Sequence, residues 1–294
     1  MRYDPHETLV SAARGQPALW RLAAGLAVVA AVQIGLTYTV YGLISALRGP
    51  GIAEAAFRGV FVTTATASDT LWLLASFLCL ICGTAVAAQL MQGRSFRSLT
   101  GPPGAAIGQF VRVLRAVALL YLVLWVVLPS GPEKVAHRPV GAWLAVLPLA
   151  LPALAIQTFA EEMLFRGYLQ QQLAARFRSP LLWIGMPALM FALAHYSPGA
   201  AGDNALPAAL WAAAFSVAAS DLTARSGTLG AAVALHFVNN AMAVLIVALP
   251  GPVSGLALYT YGFGADDPTL GPLIAVDLAV LGLSWLAARV ALRV

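Results

Sequence analysis

The chain reads as an all-α, polytopic membrane protein of about eight transmembrane helices arranged around a buried polar cavity. Three observations carry that reading. Of its 294 residues, 60% are hydrophobic and only 10% charged, with a mean hydropathy of +0.82, whereas a soluble domain carries about 25% charged residues. Apolar runs of roughly the 20 residues needed to cross the hydrocarbon layer recur along the whole chain. The three polar insertions that stand out in those runs all fall in the second half. A single membrane domain over 1–294 is the economical description, because no soluble stretch is long enough for a core of its own.

Eight apolar segments follow in order, at roughly 18–47, 69–91, 108–129, 141–160, 181–197, 205–221, 228–250 and 270–288. Before the first, MRYDPHETLVSAARGQ is polar for sixteen residues, so a cleaved signal peptide is not expected. The second holds Cys79 and Cys82. Their spacing is that of a zinc or redox pair, but a second pair is missing, and small buried side chains are expected. GRSFRSLTGPPG (93–104) is a basic, turn-rich loop. Beyond it, Arg112 and Arg115 suit a helix start in the interface with snorkelling side chains. A patch recruiting an anionic substrate is the alternative there. The fourth segment carries Pro148 and Pro152 one turn apart, which implies a bend, packed or beside a polar cavity. Residues 250–272, rich in Gly and Pro, read as a loop. Asp69, Asp221 and Asp277 sit near segment ends, where exposure or a capping bond suffices, Asp277 being the deepest.

The net charge of +5 is explained by position. With the N-terminus cytoplasmic, the inside segments hold Arg2, Arg14, Arg21, Arg94, Arg97, Arg112, Arg115, Arg166, Arg176, Arg178, Arg225, Arg289 and Arg293. The outside holds Arg48, Arg58, Lys134 and Arg138. Thirteen against four is the positive-inside bias. It marks topology, and no nucleic-acid partner is expected.

Against this background, Ala160-Glu161-Glu162-Met163-Leu164-Phe165-Arg166 stands out. Adjacent carboxylates in or near lipid are costly and usually functional. Two more polar insertions follow on separate segments, Phe191 to His195 and His236-Phe-Val-Asn-Asn240. If Ser179-Pro180 joins an antiparallel pair, Glu161 and His195 lie roughly 27 Å and 23 Å from the turn, at similar heights. Gln170, Gln171 and Gln172 and nearby arginines suggest that this hairpin's tip projects beyond the lipid. His236 then reaches the same level, at a site open to the cytoplasm.

Spacing assigns roles within the core at 141–250. Glu162 and Arg166 are i and i+4, so they can pair and keep the carboxylate ionised. Glu161 points about 100° away, toward another helix, and is the better general base. Phe191 can wall the His195 imidazole and is the expected substrate-binding residue. His236 and Asn240 share a face and present donors suited to an oxyanion. Asn239 is the weaker candidate, and His6 and His137, in expected loops, receive no role.

These motifs resemble those of the CPBP family, the CAAX-protease and bacteriocin-processing membrane proteins also called Abi. EEMLFR is similar to its Glu-Glu-x-x-x-Arg motif, FALAH to Phe-x-x-x-His and HFVNN to His-x-x-x-Asn, in the family's order within 160–240. RSFRSLTG resembles the basic segment often found before the core. The resemblance implies an intramembrane peptidase, some of whose relatives cut the last three residues from prenylated CAAX proteins. By position, Glu161 with His195 would activate water, Glu162 with Arg166 would organise the helix, and His236 and Asn240 would stabilise the tetrahedral intermediate.

A metal-free carboxylate–imidazole mechanism requiring no cofactor is preferred. Were a divalent metal such as zinc bound, its ligands would be Glu161, His195 and His236, although neither histidine lies in a His-Glu-x-x-His helix. The expected partners are a peptide or protein substrate and the bilayer, in the inner (cell) membrane. Two other readings use the same residues: a non-catalytic scaffold or immunity-type protein, and a proton-coupled transporter. The second predicts inverted repeats, and the sequence displays none.

Overall fold

A computed structural model describes residues 3–63, 66–127, 131–251 and 253–294. Arg2, the end of the third expected segment (128–129) and Pro252 of the 250–272 loop lie outside the described residues.

Each expected segment is helical: α1 (Leu19–Arg48), α2 (Ala67–Gln92), α3 (Pro103–Val127), α4 (Val140–Glu162), α5 (Pro180–His195), α6 (Ala205–Ser226), α7 (Gly230–Ala241) and α8 (Leu270–Leu292). With the turns that extend them, six helical runs among the described residues are long and apolar enough to cross a membrane. Two are shorter, Pro180–His195 and Gly230–Ile246. The chain is a polytopic helical membrane protein, and the expected eight crossings are six by this measure. Their large side chains turn outward, as at Leu119, Val126, Leu181 and Val290, which a lipid environment accommodates.

Helix ends follow local chemistry. Thr66 and Asp69 form a capping box at the start of α2, with the Thr66 hydroxyl accepting from the Asp69 N–H at 3.1 Å. Gly227 ends α6 in the left-handed region at φ 73°, where a Cβ would also come within 2.6 Å of the Pro5 carbonyl. Only glycine meets both demands.

Packing places α7 at the centre. It contacts α3, α4 and α6, while α6 also packs on α5 and α8. Every residue from Gly230 to His236 is buried, so this short helix is solvated by protein. A Cβ on Gly230 would sit 2.0 Å from the Ala106 carbonyl, which shows how closely the α3 backbone approaches. α4 lies against α2 and α7 with Pro148 and Pro152 inside it.

Small elements tie the ends. The 250–272 loop contributes β3 (Tyr259–Tyr261), antiparallel to β1 (Lys134–Ala136) and parallel to β2 (Val247–Ala248). At the opposite end, the N-terminal segment folds onto the bundle in short turns. The Tyr3 hydroxyl donates to Asp221 Oδ1 at 2.7 Å, and Asp221 Oδ2 accepts from Arg225 at 2.8 Å and Trp285 at 3.0 Å. Asp221 is thus a buried hub.

Three local expectations are corrected. His6 is 4% exposed, against Trp183 at a ring separation of 4.9 Å, and burial lowers its pKa to about 4. Gln170, Gln171 and Gln172 do not face solvent. They are buried, with Gln170 donating to the Ser220 carbonyl and Gln171 to that of Leu99, while Arg94 donates to Gln171. An amide satisfied by backbone needs no water, and polarity alone does not reveal this. Cys82 is exposed on the outer face of α2 and Cys79 half-buried, both unpaired.

Candidate active site

α4 carries Gln157 one turn before the adjacent Glu161 and Glu162 and then widens into a π-helical turn, Met163–Leu169, that holds Arg166. α7 carries His236 and Asn240 and widens in the same way over Met242–Ile246. Such widenings recur at functional sites, because the extra residue re-aims the side chains beside it.

The innermost group is an ion pair. Arg166 Nη1 donates to Glu162 Oε1 at 2.9 Å, with both side chains fully buried. The same oxygen accepts from His236 Nδ1 at 2.7 Å. A carboxylate only accepts, so the imidazole proton sits on Nδ1. Nε2 then faces Glu161, 3.6 Å from Oε2. The two glutamates differ as the helical offset implies: Glu161 is 15% exposed and Glu162 not at all. Of the two carboxylates, Glu161 is the one with exposed side-chain surface.

An aromatic shell surrounds the guanidinium. Arg166 Cζ lies 5.8, 5.1 and 5.7 Å from the rings of Phe165, Phe191 and Phe215, within cation–π range. Phe215 also packs edge-on to His236 at 4.7 Å. It comes from α6 and was invisible in sequence, being, with Trp211, one of two aromatic residues in an alanine-rich run. Phe191, the expected substrate contact, is 2% exposed. It sets the walls around Arg166 and the histidines and offers a substrate almost no surface.

His195 occupies the rim. It ends α5 and is exposed, its ring 4.4 Å from that of Phe191. Its Nδ1 donates to the Phe191 carbonyl at 2.8 Å, so Nε2 keeps its lone pair. Among the described residues no hydrogen bond or ion pair joins it to Glu161. The imidazole beside Glu161 is that of His236, while His195 turns back onto the Phe191 carbonyl of its own helix.

Gln157 was missed in sequence. Its Nε2 donates to Glu161 Oε1 at 2.8 Å, and its Oε1 accepts from Asn240 Nδ2 at 2.9 Å. The available signal was a lone amide four residues before Glu161 in an apolar run. Around this network Glu161 Oε2, Glu162 Oε2 and Arg166 Nε and Nη2 are buried without a protein hydrogen-bond partner among the described residues. Polar atoms of this kind line places that take up water or a polar ligand.

The donor set does not fit the expected metal ligands. Among the described residues no three His, Cys, Asp or Glu side chains are grouped to hold one ion. His195 forms no hydrogen bond or ion pair with Glu161 among the described residues, its Nδ1 being turned to the Phe191 carbonyl.

Fold and site together define a membrane-embedded protein with a buried, polarised carboxylate–imidazole centre. Residues 142–242, about a third of the chain, match the family model Rce1-like, described as "Type II CAAX prenyl endopeptidase Rce1-like". All three motifs fall inside that stretch, and the match agrees with the resemblance they carry. It supports a CAAX-type intramembrane endopeptidase in general. No curated protein and no solved structure matches the chain.

Proposed function

We propose that this protein hydrolyses a peptide bond of a membrane-associated or lipidated, CAAX-type peptide, with Glu161 as general base. The observation that carries the reading is the division of labour between adjacent carboxylates: Glu162 locked by Arg166 and His236, Glu161 partly exposed and with its buried Oε2 left without a hydrogen-bond partner among the described residues. Glu161 takes a proton from water as the oxygen attacks the scissile carbonyl carbon. The C–N bond then breaks, and the same proton passes to the leaving amine. His236 Nε2, 3.6 Å from Glu161, steadies that proton in transit. His195, with Nε2 free at the rim, aligns the water or the substrate backbone. The single membrane domain at 1–294 presents this centre toward the cytoplasm, on the side holding most of the arginines.

The test is cleavage of a fluorogenic farnesylated CAAX peptide by purified protein in nanodiscs. Wild type should release the C-terminal fragment and Glu161→Ala should not. Equal rates from both would sink the assignment.

A further inference from the structure

We infer that Gln157 is the positioning residue of this site and that Asn240 acts on Glu161 through it. The inference rests on the reading of Glu161 as base and deepens it. Gln157 is 7% exposed and stands one helical turn from Glu161. The Glu161 carboxylate only accepts, so the Gln157 nitrogen is the end that meets it. Asn240, on α7, donates to the Gln157 oxygen at 2.9 Å and so holds the other end of the same amide in place. Glu161 Oε1 is thereby occupied and Oε2 left toward His236.

Longer links extend the same direction outward. Asn239 Nδ2 donates to Asn240 Oδ1 at 3.4 Å, and the Tyr121 hydroxyl donates to Asn239 Oδ1 at 3.4 Å. Every donor from α3 through α7 to α4 points toward Glu161. Hydrogen bonds aligned head to tail polarise one another, so the chain fixes which oxygen of the base stays available. Asn240, with its amide turned to Gln157, belongs to that chain.

The experiment is a double-mutant cycle on the full-length protein in nanodiscs, using the farnesylated CAAX peptide. Gln157→Leu should lower kcat about 10- to 100-fold with KM within about twofold, since small misplacements of a catalytic group cost up to about 100-fold. Asn240→Ala should lose a similar amount, and the double variant no more than the larger single loss. Losses that multiply, or an unchanged kcat in Gln157→Leu, overturn the proposal. Gln157→Met, closer in length, replaces the leucine variant should that one misfold. A second readout needs no substrate: the carboxylate infrared band of Glu161, assigned by difference from Glu161→Gln, should shift in Gln157→Met and Asn240→Ala alike. A band unmoved in both overturns the proposal. A wild-type rate retained in Glu161→Ala removes the functional reading instead, and the infrared result still decides the role of Gln157.

Discussion

His236 Nδ1 lies 2.7 Å from Glu162 Oε1, and that oxygen also accepts from Arg166 at 2.9 Å. One buried atom thus joins α4, the π turn after it and the central helix α7. Glu162 is a structural clamp with two cationic or donor partners, and removing it strands both.

Glu162→Ala or Arg166→Ala should therefore destabilise the fold by about 3–5 kcal/mol, the usual cost of leaving one member of a buried pair uncompensated. The check is the thermal midpoint of detergent-purified protein together with its abundance in membranes. Normal folding of both variants would contradict the clamp.

Glu161→Ala should behave differently. Its carboxylate is partly exposed and holds no ion pair shorter than that with His236. Folding should be near normal while cleavage falls about 100- to 10,000-fold, the range a general base supplies. The contrast between adjacent glutamates, read by melting and rate on the same samples, is the sharpest consequence of the geometry.

Acid should loosen the N-terminal segment. Burial holds His6 neutral, lowering its pKa from 6.5 to about 4, with Arg14 acting in the same direction and Glu7 against it. The docked state thus binds its proton later than the undocked one. Docking is strongest above pH 6.5, weakens as pH falls toward 4 and loses about 3 kcal/mol at most. Limited proteolysis between pH 7.5 and 4.5 should cut within residues 3–14 more readily at the acid end. His6→Phe should remove that dependence.

The crossing of α3 and α7 should tolerate no added atom. Gly230→Ala places a Cβ 2.0 Å from a backbone oxygen, which cannot rotate away, so a loss of about 1–3 kcal/mol or more is expected from overpacking. Gly104→Ala, with nothing within 4 Å, serves as the control on the same helix pair.

What was legible in sequence was what lipid makes expensive. The apolar runs and the insertions at Glu161, His195 and His236 stand out because ionisable groups are rare there, and Glu162–Arg166 follows from helical spacing alone. The glutamines at 170–172 misled, because an amide paired to backbone looks the same in sequence as one facing water. His6 misled for the opposite reason: a polar terminus was read as loop, whereas Trp183, far along the chain, supplies the wall that buries it.

Composition and periodicity by themselves determined a polytopic helical membrane protein with its polar residues gathered between 160 and 240, since both depend only on residue type and near neighbours. Tertiary structure alone decided which imidazole meets which carboxylate. It set His236 rather than His195 beside Glu161 and made Gln157 the bridge from Asn240, because those contacts depend on how α4 and α7 cross and on the π turns that re-aim their side chains. No local spacing encodes either.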